Sequence, residues 1–425
     1  TGNGDVTFSG NTASGRYAYG GAIYGDSSST ITLSDNGSVS FSGNTASGRY
    51  AYGGAIYTQG DLSIRNNDSV EFYKNAEVSG NTYRLRSIYA YDGNGGEISL
   101  SAAAGKSITF YDSVYIGSDA TVNLNQDYAY QAENGSYVTI RQQGDIIFTG
   151  ADTEQHLNDL LEADGAGRVA TAEEILNSRT TEVCAMTNLY GGRLRVEEGA
   201  IYQGQGITAM EGSAATVRVQ NATLSHSGYD LTFNAGTKLE VAGHGSIIGK
   251  VNMMADSLFK LEQAASLSLH ETLGADAAEL TVQGTALLAG SSTLNASLTL
   301  ADGASLDMMS LDAGAVTING ALTFGGKVEM GEHLMAILDE MHGWNESVTL
   351  FTGIESLVLP VTVNSEASSR VWVGDVFSNL VGYEQYYFNY VPDVGSLMVV
   401  HVPEPTTTTL GLLTLAGLAL RRRRK

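Results

Sequence analysis

Short stretches of this chain alternate apolar and small polar residues. Val6-Thr7-Phe8, Ile31-Thr32-Leu33 and Val39-Ser40-Phe41 are of this kind. Period-2 alternation is the signal of a strand with one buried face. Asp-Gly, Asn-Gly and Gly-Gly pairs separate these runs, as turns require. Further on the spacing tightens. Leu239-Glu240-Val241, Phe259-Lys260-Leu261, Leu280-Thr281-Val282, Leu298-Thr299-Leu300 and Val316-Thr317-Ile318 follow one another at about twenty residues, the length of one coil of a strand solenoid. Two segments break the pattern. Residues 151–179 place Leu157, Leu160, Leu161, Ile175 and Leu176 at helical spacing, with Thr153 and Thr171 as N-cap candidates. Residues 330–342 also read as a helix, placed to cap the stack. Strands return over 346–401, with an aromatic cluster at Tyr383, Tyr386, Tyr387, Phe388 and Tyr390.

Repetition strengthens this reading. Residues 8–24 and 41–57 are the same seventeen letters, FSGNTASGRYAYGGAIY, 33 residues apart. A degenerate third copy begins at Phe72 and closes on Ile88-Tyr89. Ser-Gly-Asn-Thr occurs at 9–12, 42–45 and 79–82. A 33-residue period signals stacked units. Stacking predicts that Phe8, Phe41 and Phe72 form one internal column. It predicts that Asn11, Asn44 and Asn75 form a hydrogen-bonded ladder at a turn. Gly20-Gly21-Ala22-Ile23 and Gly53-Gly54-Ala55-Ile56 then supply a tight corner. The fold class is all-β, a parallel β-helix (β-solenoid) with a short helical insertion and a C-terminal helix. Its divisions are 1–150, repeat coils; 151–182, helical insertion; 183–329, shorter coils; 330–402, cap; and 403–425, a terminal signal. The expected stack has 13–16 coils and is about 60–75 Å long at ~4.8 Å per coil.

Composition excludes other classes. The 425 residues hold 51 Gly, 4 Pro and 1 Cys, and 46 acids face 23 bases. Gly is unaccompanied by Pro and follows no G-X-Y period, so the chain is not collagen. A net charge of −23 argues against a nucleic-acid partner. One Cys permits neither a disulfide framework nor a Cys-based zinc site. All four Pro lie at 360 or later, as expected if Pro is kept out of interior strands.

FxxN paired with GGAI resembles the repeat of the chlamydial polymorphic outer membrane proteins. Here it occurs as FSGN with GGAI twice and as FYKN once without GGAI, over roughly residues 1–90. The resemblance implies a right-handed β-helix displayed outside the cell, in the manner of an autotransporter passenger, with an adhesive role. The membrane barrel that ends those proteins has no counterpart pattern here.

The C-terminus reads VPEPTTTTLGLLTLAGLALRRRRK. Pro403-Glu404-Pro405 is followed by an uncharged segment, 406–420, and then by Arg421, Arg422, Arg423, Arg424 and Lys425. As a helix the segment spans about 22 Å, short of the ~30 Å hydrocarbon core. The order resembles a PEP-CTERM sorting signal. That implies export in a Gram-negative bacterium, transient retention in the inner membrane, processing by an exosortase near the PEP motif, and delivery to the surface or matrix. Without residues 403–425, 18 bases face 45 acids, so the exported part is more acidic still. The chain starts at Thr1 within a repeat, which predicts further coils and a signal peptide upstream.

Candidate chemistry is sparse. Asp26, Asp35, Asp61 and Asp68 fall at turns. His156, His226, His244, His270, His333, His342 and His401 show no metal-binding spacing and are expected in exposed or turn positions. Cys184 reads as a buried structural thiol. Asn36-Gly37 and Asn134-Gly135 read as turns. No cofactor, metal or catalytic residue is expected, and the chain reads as a non-enzyme. A polysaccharide-degrading enzyme, lyase or hydrolase, on the same scaffold is the alternative. The candidate binding residues are Arg16, Tyr17, Tyr19, Arg49, Tyr50 and Tyr52, with Tyr83, Tyr89, Tyr91, Tyr128 and Tyr130 continuing the aromatic theme. Arg/Tyr rows of this kind either pack on one another or present rings to glycans, extracellular polysaccharide or host surface proteins.

Overall fold

The computed structural model describes residues 1–91, 95–131, 135–272, 278–341, 346–360, 371–380 and 385–402. Strands dominate, and successive turns of the chain pair in parallel, so the described residues form a solenoid-like stack of coils. Each early coil contributes three core strands in order. In the first coil these are Val6–Ser9, Ile23–Gly25 and Thr30–Ser34, and they define three faces. On the first face the inward rungs run Val6, Val39, Val70, Ile108, Ile146, Leu194, Val217, Leu239, Phe259, Ala286, Leu306 and Met330. On the third they run from Leu33, Ile64, Leu100 and Leu124 to Phe324. Apolar residues from all three faces fill one continuous core.

Among the described residues the first face runs through these twelve strand rungs, about 50 Å at ~4.8 Å per rung, and a parallel bridge from Val328 to Phe377 adds one more at the far end, which reaches the lower bound of the 13–16 coils expected. Coil length varies along the stack. Steps between the named rungs take 31–48 residues up to Leu194, because those coils carry extra strands and helices. From Leu194 onward they take 20–27. The evenly spaced later runs also mix faces. Leu239 to Phe259 is a true coil step on the first face, and Leu280 to Leu298 one on the third. Phe259 to Leu280 is not a step, since Phe259 pairs with Ala286. Val316-Thr317-Ile318 lies on the second face, against Thr293 and Leu294.

Helix α1, Thr153–Ala163, and helix α2, Ala172–Arg179, form the insertion. Thr153 is not the N-cap of α1. Asp152 holds that place in a left-handed conformation, while the buried Thr153 hydroxyl donates to Gly150 O at 2.9 Å. Thr171 does cap α2, in a reciprocal box with Glu174. Arg168 grips the same carboxylate and holds it down at about 2. The insertion closes a sheet edge. Glu174 accepts from Tyr83 N and Ser178 from Leu85 N, while Leu157 and Leu161 pack on Ala76, Val78 and Leu85.

Helix α3, Glu332–Asp339, buries Leu334 and Leu338 at the far end of the stack. Asp307 anchors it, accepting from Leu334 N and pairing with His333. Ser347–Val358 adds one more strand in parallel with Val316–Phe324. Ser396–His401 and Tyr386–Val391 then pair antiparallel and end the ladder. Tyr386 and Phe388 are buried within this cap, and Tyr383 lies outside the described residues.

Candidate functional site

The site grows out of the FxxN and GGAI segments. Phe8, Phe41, Phe72, Phe110 and Phe148 stack face to face at centroid separations of 4.6–5.0 Å, and Tyr202 closes the column edge-on. Beside it, Asn11 donates through backbone and side chain to Asn44 Oδ1, and Asn44 likewise to Asn75 Oδ1. The remaining amide proton of Asn44 reaches back to Phe8 O, and that of Asn75 to Phe41 O. The ladder ends on Asp112, whose Oδ2 takes both donors of Asn75. Asp112 Oδ1 is buried with no hydrogen-bond partner, and burial pushes this carboxyl up to about 7. A second ladder joins Asn3, Asn36 and Asn67, so Asn36 is a ladder residue as well as a turn residue. The third Ser-Gly-Asn-Thr, at 79–82, is no copy of the first two. It forms the hairpin between Ala76–Ser79 and Thr82–Ala90, and the rung beneath Asn44 is Asn75.

After each Asn the chain leaves the core to build a side sheet. Thr12–Tyr19 pairs in parallel with Thr45–Tyr52, and the latter pairs with Ala76–Ser79. The return needs glycine. Gly20 and Gly53 are left-handed (φ 58° and 69°), and a Cβ at Gly54 would collide with the backbone of Asn75 and Ala76. Ala22 and Ala55 bond across this corner, leading into the paired strands of Ile23 and Ile56. In the third copy Leu85-Arg86-Ser87-Ile88 occupies the corner. The Arg86 guanidinium is buried between Glu77 (3.5 Å) and Glu182 (2.9 Å). Glu77 accepts Gly53 N at 2.8 Å; burial pushes its carboxyl up, and Arg86 pulls against that.

Above this corner stand tiers of tyrosine. Tyr17 stacks on Tyr50 (5.1 Å, 15°) and Tyr19 on Tyr52 (5.8 Å, 12°). Arg16 and Arg49 lie over the rings of Tyr17 and Tyr50, each at 5.5 Å. The six candidate binding residues are therefore brought together. Sequence reasoning did not single out their neighbours as a row. Tyr24, Tyr57, Tyr89 and Tyr115 stack along the second face, at 4.4–5.9 Å, and meet Tyr19 and Tyr52 from the other side. The signal was the Ile-Tyr that closes each motif copy. Arg86 sits beneath Tyr89 and Tyr115. Tyr17, Tyr24, Tyr50 and Tyr91 are exposed, whereas Tyr57 is buried. Tyr83 is buried under Arg168. Tyr128 stands on a separate hairpin, Tyr128–Gln131 with Tyr137–Ile140, under Arg65 and bonded to Asp35.

Other candidates are dispersed. Asp26 caps its own turn through Ser28 and Ser29, Asp35 accepts from Asn66, Asp61 accepts Glu97 N, and Asp68 pairs with Lys106. His226 and His401 are buried rather than exposed: the alternation of its strand turns His226 inward, and His401 packs on the Tyr386 ring in the terminal hairpin. His156 is half-buried beside Tyr111, and His244 bonds Ser266. Cys184 is half-buried, not buried, because the inward positions of its strand belong to Val183 and Ala185. An open groove of about 1040 Å³ runs between α2 and the second face, past Arg179, Glu198 and His244. Among the described residues no group of three His, Cys, Asp or Glu side chains is placed to hold a metal ion, and no helix is long and apolar enough to cross a membrane. His342, Asn134 and the sorting residues Pro403, Glu404, Pro405 and Arg421–Arg424 lie outside the described residues.

Fold and site together define a repeat protein of stacked strand coils that carries a laddered aromatic side sheet. Comparison with known families gives two matches. Residues 5–26 and 38–59 match the Chlamydia polymorphic membrane protein repeat, and residues 401–425 match the PEP-CTERM protein-sorting motif. The latter is the signal that exosortase recognises, and it begins on His401, the last residue of the last strand among the described residues. The two matches indicate an exported protein of the cell surface or outer membrane. No curated protein and no solved structure matches the chain.

Proposed function

We propose that this chain is a non-enzymatic, exported right-handed parallel β-helix with an adhesive or matrix-building role. The observation that carries the reading is the Arg/Tyr tier, which a motif repeated letter for letter sets in register on a rigid ladder. Exposed aromatic faces beside guanidinium groups suit the flat apolar faces and hydroxyls of sugar rings. An extracellular polysaccharide or a surface glycan is therefore the ligand class. In the proposed division, residues 1–150 present this surface, 151–182 close its edge, 183–329 extend the stack, and 330–402 cap it. Residues 403–425 hold the chain transiently in the inner membrane as a short helix until exosortase cuts near Pro403-Glu404-Pro405 in a Gram-negative cell.

The test is a glycan array and cell-adhesion assay with Tyr17→Ala/Tyr50→Ala. Loss of binding with an unchanged circular dichroism spectrum supports the reading. Unchanged binding by the folded double variant refutes it.

A further inference from the structure

We propose that Tyr17 and Tyr50 form an oxidative cross-linking site, at which a peroxidase-class one-electron oxidant with hydrogen peroxide joins the two rings and staples the first two coils. This inference does not rest on the binding role above. Three observations carry it. The two residues pair directly across neighbouring strands, so their side chains leave the sheet side by side. Their centroids are 5.1 Å apart with planes 15° from parallel. Both rings are exposed, 53% for Tyr17 and 37% for Tyr50, so an external oxidant reaches each and each can turn toward the other.

The other stacked pairs lack one of these conditions. Tyr19 and Tyr52 are half-buried behind the outer tier. Tyr57 is 2% exposed, which removes it as a partner for Tyr24 or Tyr89. Tyr89 and Tyr115 are closer, at 4.4 Å, but half-buried over Arg86.

The chemistry balances without a resident cofactor. Each phenol gives one electron to the oxidant and its hydroxyl proton to water. The resulting phenoxyl is neutral, so no repulsion develops with Arg16 or Arg49 above the rings. The two radicals form one bond between the carbons ortho to their oxygens. The hydrogen on each of those carbons then moves to oxygen and restores the phenols. Overall, two electrons and two protons leave the pair and reduce one peroxide to two waters. Holding the second ring in place replaces a bimolecular encounter with an intramolecular one, which favours this pair over coupling between molecules.

Dilute protein treated with a haem peroxidase and hydrogen peroxide, then digested with trypsin, tests the proposal. Cleavage after Arg16, Arg49 and Arg65 places Tyr17 in peptide 17–49 and Tyr50 in peptide 50–65. The expected result is dityrosine fluorescence in monomeric protein and a joined 17–49/50–65 peptide lighter by two hydrogens. Fragmentation should place the bond at the first residue of each. Tyr17→Phe and Tyr50→Phe, which keep the ring stack and hence the fold, abolish that product, whereas Tyr19→Phe and Tyr52→Phe retain it. The proposal is overturned if no dityrosine forms. It is equally overturned if coupling is confined to dimers or to Tyr89–Tyr115, or if Tyr50→Phe leaves the joined peptide in place.

Discussion

Replacing Asp112 by Asn should stabilise this protein at alkaline pH. Asp112 occupies a ladder position that Asn fills in the three coils above. Its Oδ2 accepts from Asn75 as an amide oxygen does in the coils above, but its Oδ1 is left buried without a partner. In the coils above, the amide nitrogen donates to Phe8 O and Phe41 O, so the corresponding acceptor for residue 112 is the Phe72 carbonyl. A neutral, protonated Asp112 satisfies the geometry, and a charged one does not. Burial accordingly raises the carboxyl from 3.8 to about 7. A folded-state value above the unfolded one means that the contribution is complete below about pH 4 and is lost as pH rises through about 7. At about 1.4 kcal/mol per pH unit, the interval corresponds to about 4 kcal/mol by pH 8. An amide at this position carries no such penalty and restores the donor. The assay is urea unfolding of wild type and Asp112→Asn followed by circular dichroism at pH 4 and pH 8. The difference between the proteins cancels other titrations, including that of His226, whose burial lowers its affinity for protons and weakens the fold in the opposite, acidic direction. Near-equal stability at pH 4 and a gain of several kcal/mol at pH 8 are expected. A destabilised variant at pH 8, or a difference independent of pH, would refute the reasoning.

Two further substitutions probe the corner below the tyrosines. Arg86→Ala leaves Glu77 and Glu182 without their shared cation, and breaking a buried pair in this way should cost about 3–5 kcal/mol in the same unfolding assay. A loss under about 1 kcal/mol would show that the network is dispensable. Gly54→Ala drives a methyl group into the backbone of the next coil and should cost at least about 1–3 kcal/mol, whereas Gly43→Ala, whose side chain meets open space, should cost only its left-handed strain. Equal effects from the two would remove close packing as the reason for glycine at the corner.

The repeated motif carried most of this architecture because each letter acts on its counterpart one coil away. Phe8 and Asn11 predict their partners as soon as Phe41 and Asn44 are seen 33 residues on, and the same logic places Gly53-Gly54 at a corner. Legibility falls where a contact joins different letters. Arg86 fills a glycine position, and its partner Glu182 lies 96 residues away beyond two helices. The buried His226 and half-buried Cys184 were misjudged because strand phase, not residue type, decides which side chain turns inward. The later coils pattern alike on all three faces, so spacing alone could not tell a step along one face from a step between faces. Tyr57 shows the limit for the site itself: its alternation marks an outward residue, yet Tyr19 and Tyr52 bury it.

The sorted, exported solenoid is tested most directly by mass spectrometry of the protein recovered from surface, culture and inner-membrane fractions of its native host. The account predicts surface or culture material whose C-terminus lies near Pro403-Glu404-Pro405 and which lacks Arg421–Arg424. Full-length protein with an intact basic tail, held in the inner membrane, would contradict it.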